Sequence, residues 1–108
     1  MSKPTAEQCL LGSMILDNNC ISDVLRVVNA GDFSNVSNRG IFEAIVYLHE
    51  NGPSVDLVSV RNELRVRGQE RWVGGVEYLV QLTGSVASAI HAVRFAEIVA
   101  GVVVVGIV

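Results

Sequence analysis

Apolar residues recur three and four positions apart along most of the chain, and capping residues or glycines interrupt the pattern at short intervals. Positions spaced this way share one face of a helix, whereas a half-buried strand alternates by two. The spacing therefore restricts the fold to short helices that each bury a stripe against their neighbours. Thr5-Ala6-Glu7-Gln8 reads as a capping box, in which the threonine hydroxyl accepts from the Gln8 amide and the glutamine side chain reaches back. It opens a helix with Leu10, Leu11, Met14 and Ile15 on one broad side, ended by Asp17-Asn18-Asn19. In a second helix Ile21, Val24, Leu25 and Val28 recur before Asn29-Ala30-Gly31 stops it. After an Asp32-Phe33 connector, a third runs through Ile41, Phe42, Ile45 and Leu48 to Gly52-Pro53, a stop followed by a residue that cannot extend a helix. Asp56 caps a fourth helix that turns Leu57, Val60 and Leu64 inward and closes at Gly68. Polar Gln69-Glu70-Arg71 leads to Trp72-Val73-Gly74-Gly75, where the paired glycines break any helix. Val76, Leu79 and Leu82 mark a short fifth helix. A sixth is expected over Ser88–Val99, with Ile90, Phe95, Ile98 and Val99 as its apolar positions. Five or six such helices with short connections make a small orthogonal all-α bundle, and residues 1–108 read as a single domain.

A chain of 108 residues suits one such domain and has no room for a two-part nucleotide-binding fold. Half of it is apolar, yet the excess is local: Glu97 is the last charged residue, and Ile98–Val108 contains only Ile, Val, Ala and Gly. Eleven residues as a helix reach about 16 Å, short of the roughly 30 Å of a bilayer core. Glu7 and Asp17 fall where a secretion signal would need an unbroken apolar core. The expectation is a cytoplasmic protein with no membrane partner. The tail's conformation stays open. Val102–Val105 is β-branched and favours a strand, and Gly101 and Gly106 each cost a helix about 1 kcal/mol, but packing against a partner helix can override both. Cys9 and Cys20 are expected as reduced, at least half-buried thiols rather than a disulfide framework.

A search for chemistry finds no catalytic centre, no cofactor site and no metal site. Gly74-Gly75 is followed by Val76-Glu77, and Lys3 is the sole lysine, so no phosphate-binding loop is present. No serine lies in a nucleophile-elbow sequence, and His49 and His91 are far apart, without the close Cys or His pairing of a zinc site. His49 falls near a helix C-terminus, where an imidazolium interacts favourably with the dipole. The one basic concentration is Arg61, Arg65, Arg67 and Arg71, interrupted by Glu63 and Glu70, with Arg61 and Arg65 on one helix face. It is either a solvated face or a contact surface for an acidic protein or nucleic acid; the net charge of −3 disfavours a dedicated nucleic-acid binder. Trp72 beside it is either a binding anchor or a residue packing a loop onto the core.

The order of several short segments nevertheless resembles one family. Pro4-Thr5-Ala6-Glu7-Gln8, Leu11-Gly12 and Leu16-Asp17-Asn18 are similar to the opening of the N-terminal domain of DnaB-type replicative DNA helicases. The resemblance continues through Asp32-Phe33, Arg39, Ile41-Phe42, Gly52, Val55-Asp56-Leu57-Val58, Leu64 and Gly68. It is sharpest in Val73-Gly74-Gly75 with Tyr78-Leu79, and it ends at Ala96-Glu97-Ile98-Val99.

The resemblance implies a globular helical head, residues 1–84, and the start of a C-terminal helical hairpin, residues 85–108. Heads and hairpins of this family pair, three pairs form a collar, and the collar docks the helicase-binding domain of primase. The ATPase motor is a separate C-terminal domain, so this chain alone is expected to be no enzyme and to meet DNA only indirectly. Partners implied are itself, as a dimer or a trimer of dimers, primase, and the helicase motor. The alternative is a standalone viral or mobile-element regulator that binds a host helicase or primase and perturbs assembly. Candidate partner contacts are Tyr78, Trp72, Arg61 and Arg65; the plainer reading of Tyr78 is a half-buried core tyrosine. Candidate self-association residues are Phe95, Ile98 and Val99, with Val102 beyond them, packing either on a partner subunit or within the chain. Three departures from the family pattern stand out: Val86-Ala87 in place of a Thr-Pro element, Ser34 where an aromatic is common, and the uncharged tail.

Overall fold

Thr5 opens α1 (Ala6–Leu16) as the capping box predicts: the Gln8 amide donates to Thr5 Oγ1 at 3.2 Å, and the Thr5 amide donates to Gln8 Oε1 at 2.9 Å. The structure, a computed structural model, describes residues 3–102. Among these the order is α1, a 3₁₀ turn (Asn18–Cys20), α2 (Ile21–Leu25), a second 3₁₀ turn (Ala30–Asp32), α3 (Val36–Asn51), α4 (Leu57–Val66), α5 (Glu70–Val73), α6 (Gly75–Thr83) and α7 (Ala92–Ala100), with no strand. The all-α bundle expected from the periodicity is present, with one more helix than predicted: the polar stretch before Gly74 forms the single turn of α5.

The centre of the bundle is α1, which packs on α3, α6 and α7. Its six residues from Leu10 to Ile15 are all buried, so the expected one-sided stripe is instead a helix enclosed nearly all round. Gly12 makes this possible. A Cβ there would lie 2.0 Å from the Leu82 carbonyl oxygen, so α1 and α6 cross with almost no side chain between their backbones. Buried Ser13 is satisfied by donating its hydroxyl to the Cys9 carbonyl oxygen at 2.8 Å.

The apolar stripes of α3 and α6 pack on α1 through Ile41, Phe42 and Ile45 and through Leu79 and Leu82, and that of α4, with Val60 and Leu64, packs on α3 and α6, as the 3–4 spacing requires. Phe33 and Phe42 meet in a tilted ring pair with centroids 4.7 Å apart. Asp56 caps α4 in a reciprocal box with Ser59. The amides of Gly68 and Gln69 fold back onto Arg65 and Leu64 in the paired bonds of a Schellman end. Asn18 ties the α1 exit to the α4 approach, its amide group bonding the Val55 carbonyl and amide at 2.8 Å each. Between α5 and α6, Gly74 and Gly75 take φ of 118° and 71°, a left-handed corner that side chains disfavour.

The C-terminal helix corrects two expectations. It starts at Ala92, not Ser88. Ser85–His91 is irregular, and the Ser88 hydroxyl accepts from the Ile90 amide in a local turn that competes with helix. Its buried positions are the small Ala92 and Ala96, with Phe95 and Val99 half-buried, whereas Ile90 is 80% exposed. Alanines allow α7 close against α1, and the large residues then fall on its flanks and outer side. Gly101 ends α7 in a second Schellman arrangement, with Val102 N–H bonding Glu97 O at 3.0 Å. The tail's conformation is thus helical up to Ala100, and residues 103–108 lie outside the described residues.

Candidate partner-binding surfaces

Tyr78 stands on α6 directly after the glycine corner, its Cβ close enough to Gly74 that an added Cβ would clash at 2.8 Å. Its hydroxyl is committed internally. It donates to Asn38 Oδ1 and accepts from Gln8 Nε2 at 3.4 Å, joining α6 to α3 and α1. Asn38, only 2% exposed, completes its bonding by donating Nδ2–H to Glu7 Oε1 at 2.9 Å. Glu7 also receives the Ser34 amide and hydroxyl on Oε2, and the Asn35 amide on Oε1. Burial pushes the Glu7 carboxyl up, but the hydrogen bonds from Asn38, Ser34 and Asn35 together outweigh it and hold the group below the usual carboxylate range. Ser34 is thereby a hydrogen-bonding anchor. Glu7 and Asn38 were not singled out from the sequence. The one available signal was Asn38 itself, an amide at the inward spacing of Ile41, Phe42 and Ile45.

Arg61 and Arg65 project from α4 toward α5 and share Glu70. Arg61 Nε lies 2.5 Å from Glu70 Oε2 and Arg65 Nε 3.5 Å from Oε1, and the hydrogen bond from Arg61 is the main cause of the lowered Glu70 pKa. Arg67 pairs with Glu63 at 2.8 Å and lies over the Tyr47 ring. Arg65, Gly68, Glu70 and Arg71 line a shallow depression of about 220 Å³. Trp72 leans the other way, onto α3: a Cβ at Gly40 would lie 3.1 Å from its Cζ3, and the Ser37 hydroxyl donates to its carbonyl. The indole is nonetheless 53% exposed, so it packs its turn onto α3 and still presents a face to solvent.

The four residues singled out on the C-terminal segment divide. Phe95 and Val99 pack against the core of this chain, while Ile98 and Val102 are 54% and 51% exposed. Ile98 and Val99 also border a broad depression, about 500 Å³, that Glu7, Asn35 and Asn38 line as well. Glu7 offers little there, because its two oxygens already take four hydrogen bonds. Among the described residues no three His, Cys, Asp or Glu side chains group as metal ligands, and no helix is long and apolar enough to cross a membrane.

This geometry, a central buried helix with a docked C-terminal helix, agrees with what comparison finds. The family model described as the DnaB-like helicase N terminal domain matches residues 1–101. The chain belongs to that family. The replicative DNA helicase DnaB of Mycobacterium leprae (strain TN) is 40% identical over 95 residues, covering 88% of this chain and 16% of the relative. The corresponding protein of Leifsonia xyli subsp. xyli (strain CTCB07) is 38% identical, covering 88% of this chain and 21% of its own length. That of Haemophilus influenzae (strain ATCC 51907 / DSM 11121 / KW20 / Rd) is 35% identical over 94 residues, covering 87% and 20%. The crystal structure of the N-terminal domain of DnaB helicase from Mycobacterium tuberculosis superposes with a TM-score of 0.87 at 38% identity, covering 93% of this chain and 72% of that one. The chain spans about a fifth or less of the length of these DnaB helicases. The DnaB-type N-terminal domain expected from the short sequence segments is therefore the family found, and the 108 residues hold its helical domain without an ATPase motor.

Proposed function

We propose that this DnaB-type domain serves DNA replication as an assembly and docking module. It self-associates through the outer side of α7 and the segment beyond it, and it presents the head to the helicase-binding domain of primase. ATP hydrolysis and strand separation belong to a motor outside these 108 residues, and the setting is the cytoplasm. In this reading residues 85–102, which hold α7 and its approach, begin the oligomerising hairpin on the head formed by residues 3–84.

The single observation behind the reading is the two-sidedness of α7. Ala92 and Ala96 seat it on α1, while Val93 and Ile98 on the helix, and Val102 just past its Gly101 end, remain exposed although the helix already has an intramolecular partner. Exposed β-branched residues on a docked helix suit a second surface of the same kind. Titration of the chain with the isolated C-terminal domain of a cognate primase, followed by calorimetry, tests the docking half. A saturable complex is expected, and no heat of binding with the helical circular-dichroism spectrum intact contradicts it.

A further inference from the structure

We infer that the arginine cluster between α4 and α5 receives a short acidic segment of a partner protein; this rests on the docking reading above and gives the partner a chemistry. Residues 61–72 carry four arginines and two glutamates, a net charge of +2, while the other 96 residues carry −5. An otherwise acidic chain thus has one locally positive stretch. Such a stretch steers an acidic group toward it and repels little else.

The cluster is prepared for this use. Glu70 draws Arg61 and Arg65 toward one side, hydrogen-bonded by Arg61 Nε and ion-paired with Arg65 at 3.5 Å, leaving most of each five-donor fork unspent. At the depression lined by Arg65, Gly68, Glu70 and Arg71, an arriving carboxylate meets an Arg65 already held against Glu70, so that guanidinium loses less freedom than a free one would, and Arg71 supplies a second guanidinium. The depression is open at Gly68, where an added Cβ would meet nothing within 4 Å. Arginine forks fit carboxylates in paired hydrogen bonds.

The same layout argues against nucleic acid. A polynucleotide needs a basic track along several phosphates. Here the net positive stretch spans only residues 61–72, is interrupted by Glu63 and Glu70, and belongs to a chain whose other residues sum to −5. A segment of a few acidic residues fits within that stretch.

The test uses the full chain and two fluorescein-labelled probes, an octaglutamate peptide and a thymidylate octamer, read by anisotropy at 50 mM and 300 mM salt. The peptide is expected to bind at low salt, to weaken at least tenfold in the Arg65→Glu/Arg71→Glu double variant, and to bind Arg26→Glu, a charge change just past the end of α2, as it binds the unaltered chain. Circular dichroism confirms that each variant remains folded. The inference is overturned if the peptide does not bind, if Arg26→Glu weakens it equally, or if the thymidylate octamer binds more tightly through the same two arginines. Primase binding measured on the double variant separates the two claims. Full-strength binding there removes the acidic-segment inference and leaves the docking reading standing, whereas a matching loss supports both.

Discussion

One oxygen of Glu7, in the first turn of α1, accepts both the amide and the hydroxyl of Ser34, at 2.7 and 2.8 Å. This pins the loop before α3 to the start of the central helix, across 27 positions of sequence. It also makes the carboxylate an acceptor of four donors, which only the ionised form satisfies fully.

A pH dependence follows. The folded pKa of Glu7 lies below its unfolded value, so its contribution is present above about pH 4.5 and lost as pH falls through the folded value. Glu7→Gln turns one acceptor into a donor facing donors and is expected to cost roughly 1–3 kcal/mol at pH 7. Urea unfolding from pH 7 to pH 3 should show the two proteins converging as the acid limit is approached. A constant gap across that range would contradict the assignment. Glu70 and Asp56, also lowered, titrate in both proteins and cancel from the comparison.

Gly12→Ala should destabilise. Replacing glycine within a helix normally gains about 0.5–1 kcal/mol. Here the new Cβ would sit 2.0 Å from a backbone oxygen of α6, so the helices must separate and loosen the packing of α7 as well. We expect a net loss of about 2 kcal/mol or more, a fall in Tm on the order of 10 °C by differential scanning calorimetry. An unchanged or higher Tm would show that the α1–α6 contact is not as close as described.

Tyr78→Phe removes the donor to Asn38, a side chain almost without solvent access. The expected cost is about 1–2 kcal/mol in urea unfolding, with the helical spectrum retained. A neutral substitution would mean the hydroxyl is dispensable to the fold and free for a partner.

The thiols are expected to be sluggish. Burial, with the nearby charges of Asp17 and Asp23, pushes Cys20 up to about 11, and burial also raises Cys9. Thiolate is the reactive form, so at pH 8 both should react with a disulfide reagent more slowly than free cysteine, Cys20 by at least tenfold. Reaction at the free-cysteine rate before any denaturant is added would contradict this placement.

Much of the architecture was legible because its determinants are local. The Thr5–Gln8 and Asp56–Ser59 boxes, the Gly68 stop and the Gly74-Gly75 corner each announce themselves within a few residues. What was not legible depends on partners distant in sequence. Ala92 and Ala96 hold α7 on α1 because they are small, which a search for large apolar residues passes over. The Gln8–Tyr78–Asn38–Glu7–Ser34 network joins polar residues from separate elements that have no characteristic spacing. Tyr78, chosen as an interface residue, has its hydroxyl inside that network. Trp72 divides its ring between α3 and solvent, so neither of its two sequence readings describes it fully.

The central claim is that the outer side of α7 joins copies of this domain. Sedimentation equilibrium of the chain and of Ile98→Asp, between 5 and 100 μM on the order of usual working concentrations, tests it most directly. The account predicts dimers or larger species for the unaltered chain and a monomer for Ile98→Asp with Tm unchanged, because Ile98 faces solvent in the single chain. A monomer at every concentration for the unaltered chain, or association that Ile98→Asp leaves intact, would contradict it.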